Sequence, residues 1–80
     1  GMIDEGVLTT ATNTWTGMSG NWNVPTRWSL GAVPSGCTHV IINTNVTVTV
    51  PEDYSGRAKS ITLSNNALLD ILTGGIIVTD

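Results

Sequence analysis

Residues 59–80, KSITLSNNALLDILTGGIIVTD, decide the fold. Ile61 and Leu63 stand two apart, Ser64-Asn65-Asn66 follows, and Ala67, Leu69 and Ile71 repeat the spacing. Thr73-Gly74-Gly75 comes next, and Ile76 and Val78 alternate a third time. Apolar residues two apart share one face of a strand, whereas Asn and Gly accept the backbone angles of tight turns. The stretch therefore predicts three short strands with those seven residues facing inward. Such strands suit either successive rungs of a solenoid or a meander of hairpins, and the pattern alone leaves both open.

The signal continues toward the N-terminus. Val46-Thr47-Val48-Thr49-Val50 alternates strictly and predicts a strand with its valines inward and its threonines outward. Pro51 stops it, and PEDYSG reads as a turn or short loop with Tyr54 laid against the core edge. Thr38–Asn43 reads as a strand with Val40 and Ile42 on one face and His39 and Ile41 on the other. Residues 9–16, TTATNTWT, have the β-branched content of a weak first strand, and Leu8 and Ala11 are its inward candidates.

Between these lies residues 14–34, TWTGMSGNWNVPTRWSLGAVP, which gathers all three tryptophans and two of the three prolines. Large apolar bodies alternate here with residues that bend the chain, so the loop can fold over something. Trp15, Trp22 and Trp28 can close one end of the β core, or Trp22 and Trp28 can lie flat on the surface and stack on a sugar ring. The closing role takes precedence, because an 80-residue chain needs every large apolar side chain it has. The stacking role would recruit Asn21 and Arg27 for ligand hydroxyls.

Trp15, Gly17, Asn21, Trp22, Trp28, Ser29, Gly31 and Pro34, followed by Val40-Ile41-Ile42, resemble the Trp/Gly-rich lead-in found before β-solenoid segments of large bacterial secreted and surface proteins, including autotransporter-like and adhesin-like ones. Residues 59–80 are similar to the strand ladder that follows in such proteins, so the resemblance spans about residues 14 to 80. Arg27 stands where an Asn usually precedes the last Trp, and Leu68 and Ile77 put apolar residues at positions more often polar. The resemblance implies a β-solenoid architecture and a secreted or cell-surface location, with little about activity.

Composition narrows the function classes. Net charge is −3, and Arg27, Arg57 and Lys59 are the only fixed cations, too few for the basic patch that a polyphosphate needs. No nucleic-acid partner is expected. Cys37 is the single cysteine and has no internal disulfide partner. No apolar run reaches the length of a membrane span or signal-peptide core, so no membrane insertion is expected. Gly1 ahead of Met2 reads as the remnant of an expression tag, and residues 2–8 as a flexible tail. The single all-β module then covers residues 9–80, with the Trp/Gly-rich loop at 14–36 and strand-turn repeats at 37–80.

The chemistry-bearing residues are sparse. Glycoside hydrolysis needs two carboxylates across a cleft, and Asp4, Glu5, Glu52, Asp53, Asp70 and Asp80 are the candidates. Asp4 and Glu5 sit in the tail, Glu52 and Asp53 on a turn, and Asp70 suits an exposed ion pair with Arg57 or Lys59 better than catalysis. Cys37 and His39 share a strand face, but no third group orients the histidine and one Cys with one His leaves a metal short of ligands. A Ca²⁺ site at Glu52 and Asp53 has no supporting repeat spacing. Asn45-Val46-Thr47 forms a glycosylation sequon by chance in an Asn- and Thr-rich strand region.

The expectation is an all-β module of five or six short strands, a short parallel solenoid or a small sandwich, with a Trp-rich capping loop and no cofactor. Its role is structural or adhesive and non-catalytic. The alternatives are a carbohydrate-binding module using Trp22, Trp28, Asn21 and Arg27, and a fragment of a polysaccharide-degrading β-helix enzyme. Partners are a polysaccharide or cell-surface glycan, and a second copy through the C-terminal edge strand, which would otherwise invite pairing. A truncated or naturally short module is favoured over a full solenoid.

Overall fold

A computed structural model of the chain describes residues 11–79. The expected tail, Leu8, Asp4, Glu5 and Asp80 lie outside the described residues. Within them the chain is all-β, with strands β1 (Ala11–Thr14), β2 (Gly20–Asn21), β3 (Thr38–Ile42), β4 (Thr47–Val50), β5 (Ser55–Ala58), β6 (Ser60–Leu63), β7 (Leu68–Ile71) and β8 (Ile76–Thr79). A single 3-10 turn, Pro25–Arg27, interrupts the tryptophan loop.

Consecutive strands lie in different sheets. The sheet orders are β1-β3-β6, β2-β4-β7 and β5-β8, and each strand pair in them is parallel. The chain therefore coils, placing one strand per turn on each of three sides, and of the two architectures that the sequence leaves open it is the parallel solenoid. His39 pairs with Ser60, Thr47 with Leu68 and Ser55 with Ile76, a constant offset of 21 residues between the second rung (β3–β5) and the third (β6–β8). The first rung contributes only β1 and β2, and the tryptophan loop takes the place of its third side.

The strand count exceeds the expected five or six because β2 and β5 carry almost no periodic signal. β5, Ser-Gly-Arg-Ala, points only Gly56 and Ala58 inward, and both are buried. Elsewhere the inward pattern agrees with the alternation: Val40, Ile42, Val48 and Val50 are fully buried, and Val46 and Tyr54 pack against them. Ala11 is exposed, so its expected inward placement is corrected; Asn13 takes the buried position of β1.

A second correction falls on β8. Ile77, paired with buried Gly56, faces the core, while Ile76 and Val78 pair with the outward Ser55 and Arg57 and are exposed. The triplet Ile-Ile-Val has apolar residues on both faces, so alternation cannot choose between them; the pairing to β5 does. Asp53 and Gly74, 21 residues apart, occupy the same corner of successive rungs, both with left-handed backbone at φ 59° and 75°. Gly74 adopts this conformation without steric cost, and a Cβ added there would displace the exposed Asp53 carboxylate.

Candidate functional site

Two features stand apart from the second rung: a plug of indoles over its first inward positions, and a third rung whose strands have one partner each among the described residues. The plug is built by β1, β2 and the loop joining them to β3. Trp15 follows β1 and its N–H donates to Ile41 O at 2.9 Å, while Trp22 follows β2 and donates to Thr49 O at 2.7 Å. Each indole thus enters the core as the next inward residue of its sheet, above Ile42 and Val50. Val24 is extended ahead of Pro25, which fixes the 3-10 turn that returns the chain to Trp28.

All three indoles are 0–2 % exposed. Trp28 lies between the other two, its ring 5.0 Å from each at interplanar angles of 86° to Trp15 and 69° to Trp22. Such edge-on contacts contribute about 0.5–1.5 kcal/mol each beyond area burial. Trp15 Nε1 donates to Met18 O at 3.1 Å and Trp28 Nε1 to Trp22 O at 2.8 Å. Trp22 Nε1 is buried without a partner, because the Trp22 ring reaches across to the third side and lies over Gly56. That is why β5 can be Gly and Ala inside: the indole supplies the volume that a side chain of a first-rung third strand would supply.

The same loop covers a strand edge. Ser29 N donates to Thr14 O at 2.8 Å and Thr16 N to Arg27 O at 2.7 Å, and Trp15 and Trp28 form an antiparallel bridge. Residues 27–29 therefore lie along the outer edge of residues 14–16, where β1 ends. Asn13, 1 % exposed, fastens the next stretch: its Nδ2 donates to Ala32 O at 2.8 Å, and its Oδ1 accepts from Leu30 N at 3.0 Å and from Ser29 Oγ at 3.4 Å. Asn13 is the residue that sequence reasoning missed. The signal available was an Asn at an inward position of a strand, where only a hydrogen-bonded partner makes burial tolerable.

The four residues expected to bind a sugar are placed as follows. Trp22 and Trp28 touch each other inside the core, and neither presents a flat open face to solvent. Asn21 is exposed on β2 opposite Thr49. Arg27 is half-buried, with its guanidinium laid over Gly17, whose φ of 88° also demands glycine. Two of the four are packing elements, and the set does not converge on a surface.

The remaining candidates are dispersed. His39 Nδ1 lies 2.6 Å from Ser60 Oγ on the outward face of the first sheet, where the two residues are direct register partners. Cys37 is exposed immediately before β3. Asp70 is exposed on β7 opposite Thr49, in a different sheet from Arg57. Glu52 and Asp53 are exposed at a corner. Among the described residues no group of three or more His, Cys, Asp or Glu is placed to hold a metal, and no pocket is present.

The third rung differs from the second. Among the described residues β6, β7 and β8 each pair on one side only, and Leu63, Leu68, Ile71, Leu72, Ile76 and Val78 are 38–62 % exposed. Leu63 and Ile71 stack on the fully buried Ile42 and Val50 and so continue the inward columns of the second rung.

No helix among the described residues is long and apolar enough to cross a membrane. Comparison with protein-family models, with curated proteins and with solved structures found no match.

Proposed function

We propose that the chain is a non-catalytic structural module of a secreted or cell-surface bacterial protein, in which the tryptophan loop caps the start of a β-solenoid and the rungs form a short stalk. One observation supports it above the others: three indoles, all buried, pack over the first inward positions of the coil, and the loop that carries them hydrogen-bonds along the chain at Thr14–Thr16. An end closed at such density is a terminator of strand stacking, as solenoids need to remain soluble and unpolymerised. The location rests on the resemblance of residues 14–80 to lead-in segments of bacterial surface proteins.

Tryptophan fluorescence tests the reading, since the three indoles are the only ones in the chain. The cap gives blue-shifted emission that acrylamide quenches weakly and that a panel of soluble polysaccharides leaves unchanged. Red-shifted, quenchable emission protected by one glycan would replace the cap with a sugar-binding face, and Trp22→Ala against Trp28→Ala would then locate it.

A further inference from the structure

We infer that the corner between β5 and β6 binds the anionic groups, carboxylate or sulfate, of an acidic polysaccharide. The polymer as source of the anion rests on the surface-module reading; the site itself rests on where Arg57, Lys59 and His39 are placed.

The chain holds four basic side chains, Arg27, Arg57, Lys59 and His39. Arg27 is laid over Gly17, and the other three meet on two stacked segments, 36–39 and 57–60. Three contacts fix that stacking. The Arg57 guanidinium lies against Gly36, where an added Cβ would stand 3.3 and 3.4 Å from its Nε and Nη2. Lys59 N donates to Thr38 O at 2.7 Å, and His39 pairs with Ser60, its Nδ1 2.6 Å from Oγ. Arg57 and Lys59 are both exposed and two residues apart, roughly 6–7 Å of extended chain. His39 follows around the corner on the outward face of the first sheet.

The described carboxylates stand elsewhere. Asp70 is on β7 in a different sheet, and Glu52 and Asp53 are at the corner before β5, where Asp53 meets Gly74. Among the described residues, then, no acid shares the two segments, and Arg57 and Lys59 present their charge to solvent without a carboxylate beside them. The chain as a whole carries −3, so this corner has a local field opposite in sign to the net charge. Such segregation draws an anion to one place and orients its approach.

The groups suit a charged sugar. A guanidinium grips carboxylate or sulfate through paired N–H donors, and the ammonium of Lys59 adds a mobile point charge. Contact with Gly36 orders the Arg57 head before a ligand arrives, which lowers the entropy lost on binding. When Ser60 Oγ donates to His39 Nδ1, the neutral imidazole carries its proton at Nε2, a further donor. Thr12 and Ser60 flank His39 in register, and their hydroxyls extend the polar field along the sheet. No pocket is present among the described residues, so the surface suits a polymer lying along it; a small free anion needs enclosure, and a nucleic acid needs more cations.

The test titrates polygalacturonate and dextran sulfate into the isotope-labelled chain at about 20 mM salt and follows its amide resonances. Dextran serves as the neutral polymer, and phosphatidylglycerol vesicles and a thymidine oligonucleotide as other polyanions. At least one acidic polysaccharide is expected to shift residues 36–39 and 57–60 saturably while dextran does not, and the stronger of the two names the anionic group. Binding weakens about tenfold as salt rises to about 0.5 M. Arg57→Gln and Lys59→Gln each weaken it about threefold, the scale of one exposed charge contact, and together about tenfold, whereas Arg57→Lys retains most of it. Asn21→Asp makes the same change in net charge at an exposed position of another sheet and leaves binding as it was. Absence of binding to both polymers, equal binding of dextran, tighter binding of the vesicles or the oligonucleotide, or binding that survives the double substitution would overturn the inference. Indole emission in the same samples separates the two ideas: blue-shifted emission without binding sinks only the acidic-glycan site, whereas quenchable indoles that a glycan protects sink the cap.

Discussion

Replacing Gly56 with alanine sets two effects of opposite sign against each other at the place where cap and third rung meet. Alanine in a strand interior recovers about 0.5–1 kcal/mol of the entropy that glycine loses on folding. The new methyl, however, would lie 2.5 Å from Ile77 Cδ1 and 3.1 and 3.4 Å from Trp22 Nε1 and Cε2. The near atom of Ile77 is the end of a flexible, half-buried side chain and can rotate; Trp22, fully buried between Trp28 and the β5 backbone, cannot retreat. Overpacking of this kind costs about 1–3 kcal/mol. The overpacking range less the entropy recovered spans about 0–2.5 kcal/mol, and the immobile indole puts the balance in its upper half, a net loss of about 1–2.5 kcal/mol. At about 4–8 °C per kcal/mol for a domain of this size, Tm falls by roughly 5–20 °C.

Ile77→Val identifies the cause. It removes Cδ1, the atom nearest the new methyl, and by itself costs about 0.5 kcal/mol, the low end for this change at a half-buried site. Combined with Gly56→Ala, the loss should fall short of the sum by about 1 kcal/mol, a coupling well above the few tenths by which independent sites deviate. Urea unfolding followed by indole emission measures all three variants with the cap itself as reporter. A stabilised Gly56→Ala, or strict additivity, would refute the claim that the Trp22 ring and Ile77 share the space over β5.

Two further predictions concern the cap. Asn13→Ala removes two good hydrogen bonds from the buried position of β1 and unfastens residues 29–32; at about 1 kcal/mol per bond plus the cavity, a loss of about 2–3 kcal/mol is expected in the same urea assay, with greater acrylamide quenching as the loop loosens. Trp28→Phe should cost more than Trp22→Phe: the first leaves Trp22 O without its donor, while the second removes an Nε1 that has no partner and so gives back about 1–3 kcal/mol of desolvation penalty against its lost volume. Equal losses from the two phenylalanines would show that the Trp22 N–H is satisfied after all.

The strands were legible where inward residues are large and outward ones polar. Val40 and Ile42, and Val48 and Val50, alternate because one face is buried on both neighbouring rungs, so their sequence period is their structure. The signal failed where another part of the chain supplies the packing. β5 shows only Gly56 and Ala58 inward because an indole 34 residues earlier fills the space above them. In β8 the Ile-Ile-Val run has no period, and its inward member is set by the register to Gly56. Burial of Asn13 was invisible for a related reason: its partners, Leu30 and Ala32, come near only after the loop has folded back.

By itself, then, the sequence determines an all-β chain: alternation, turn residues and a paucity of charge are local properties, and local backbone preference reads them directly. It also concentrates the tryptophans in a loop able to close an end. Tertiary structure alone decides that the strands pair in parallel, the second and third rungs at a 21-residue offset, and that Trp22 and Trp28 point into the core. Parallel pairing joins residues a full rung apart, and indole burial depends on volume left vacant on another side of the coil. Neither quantity exists until the chain has closed its first turn.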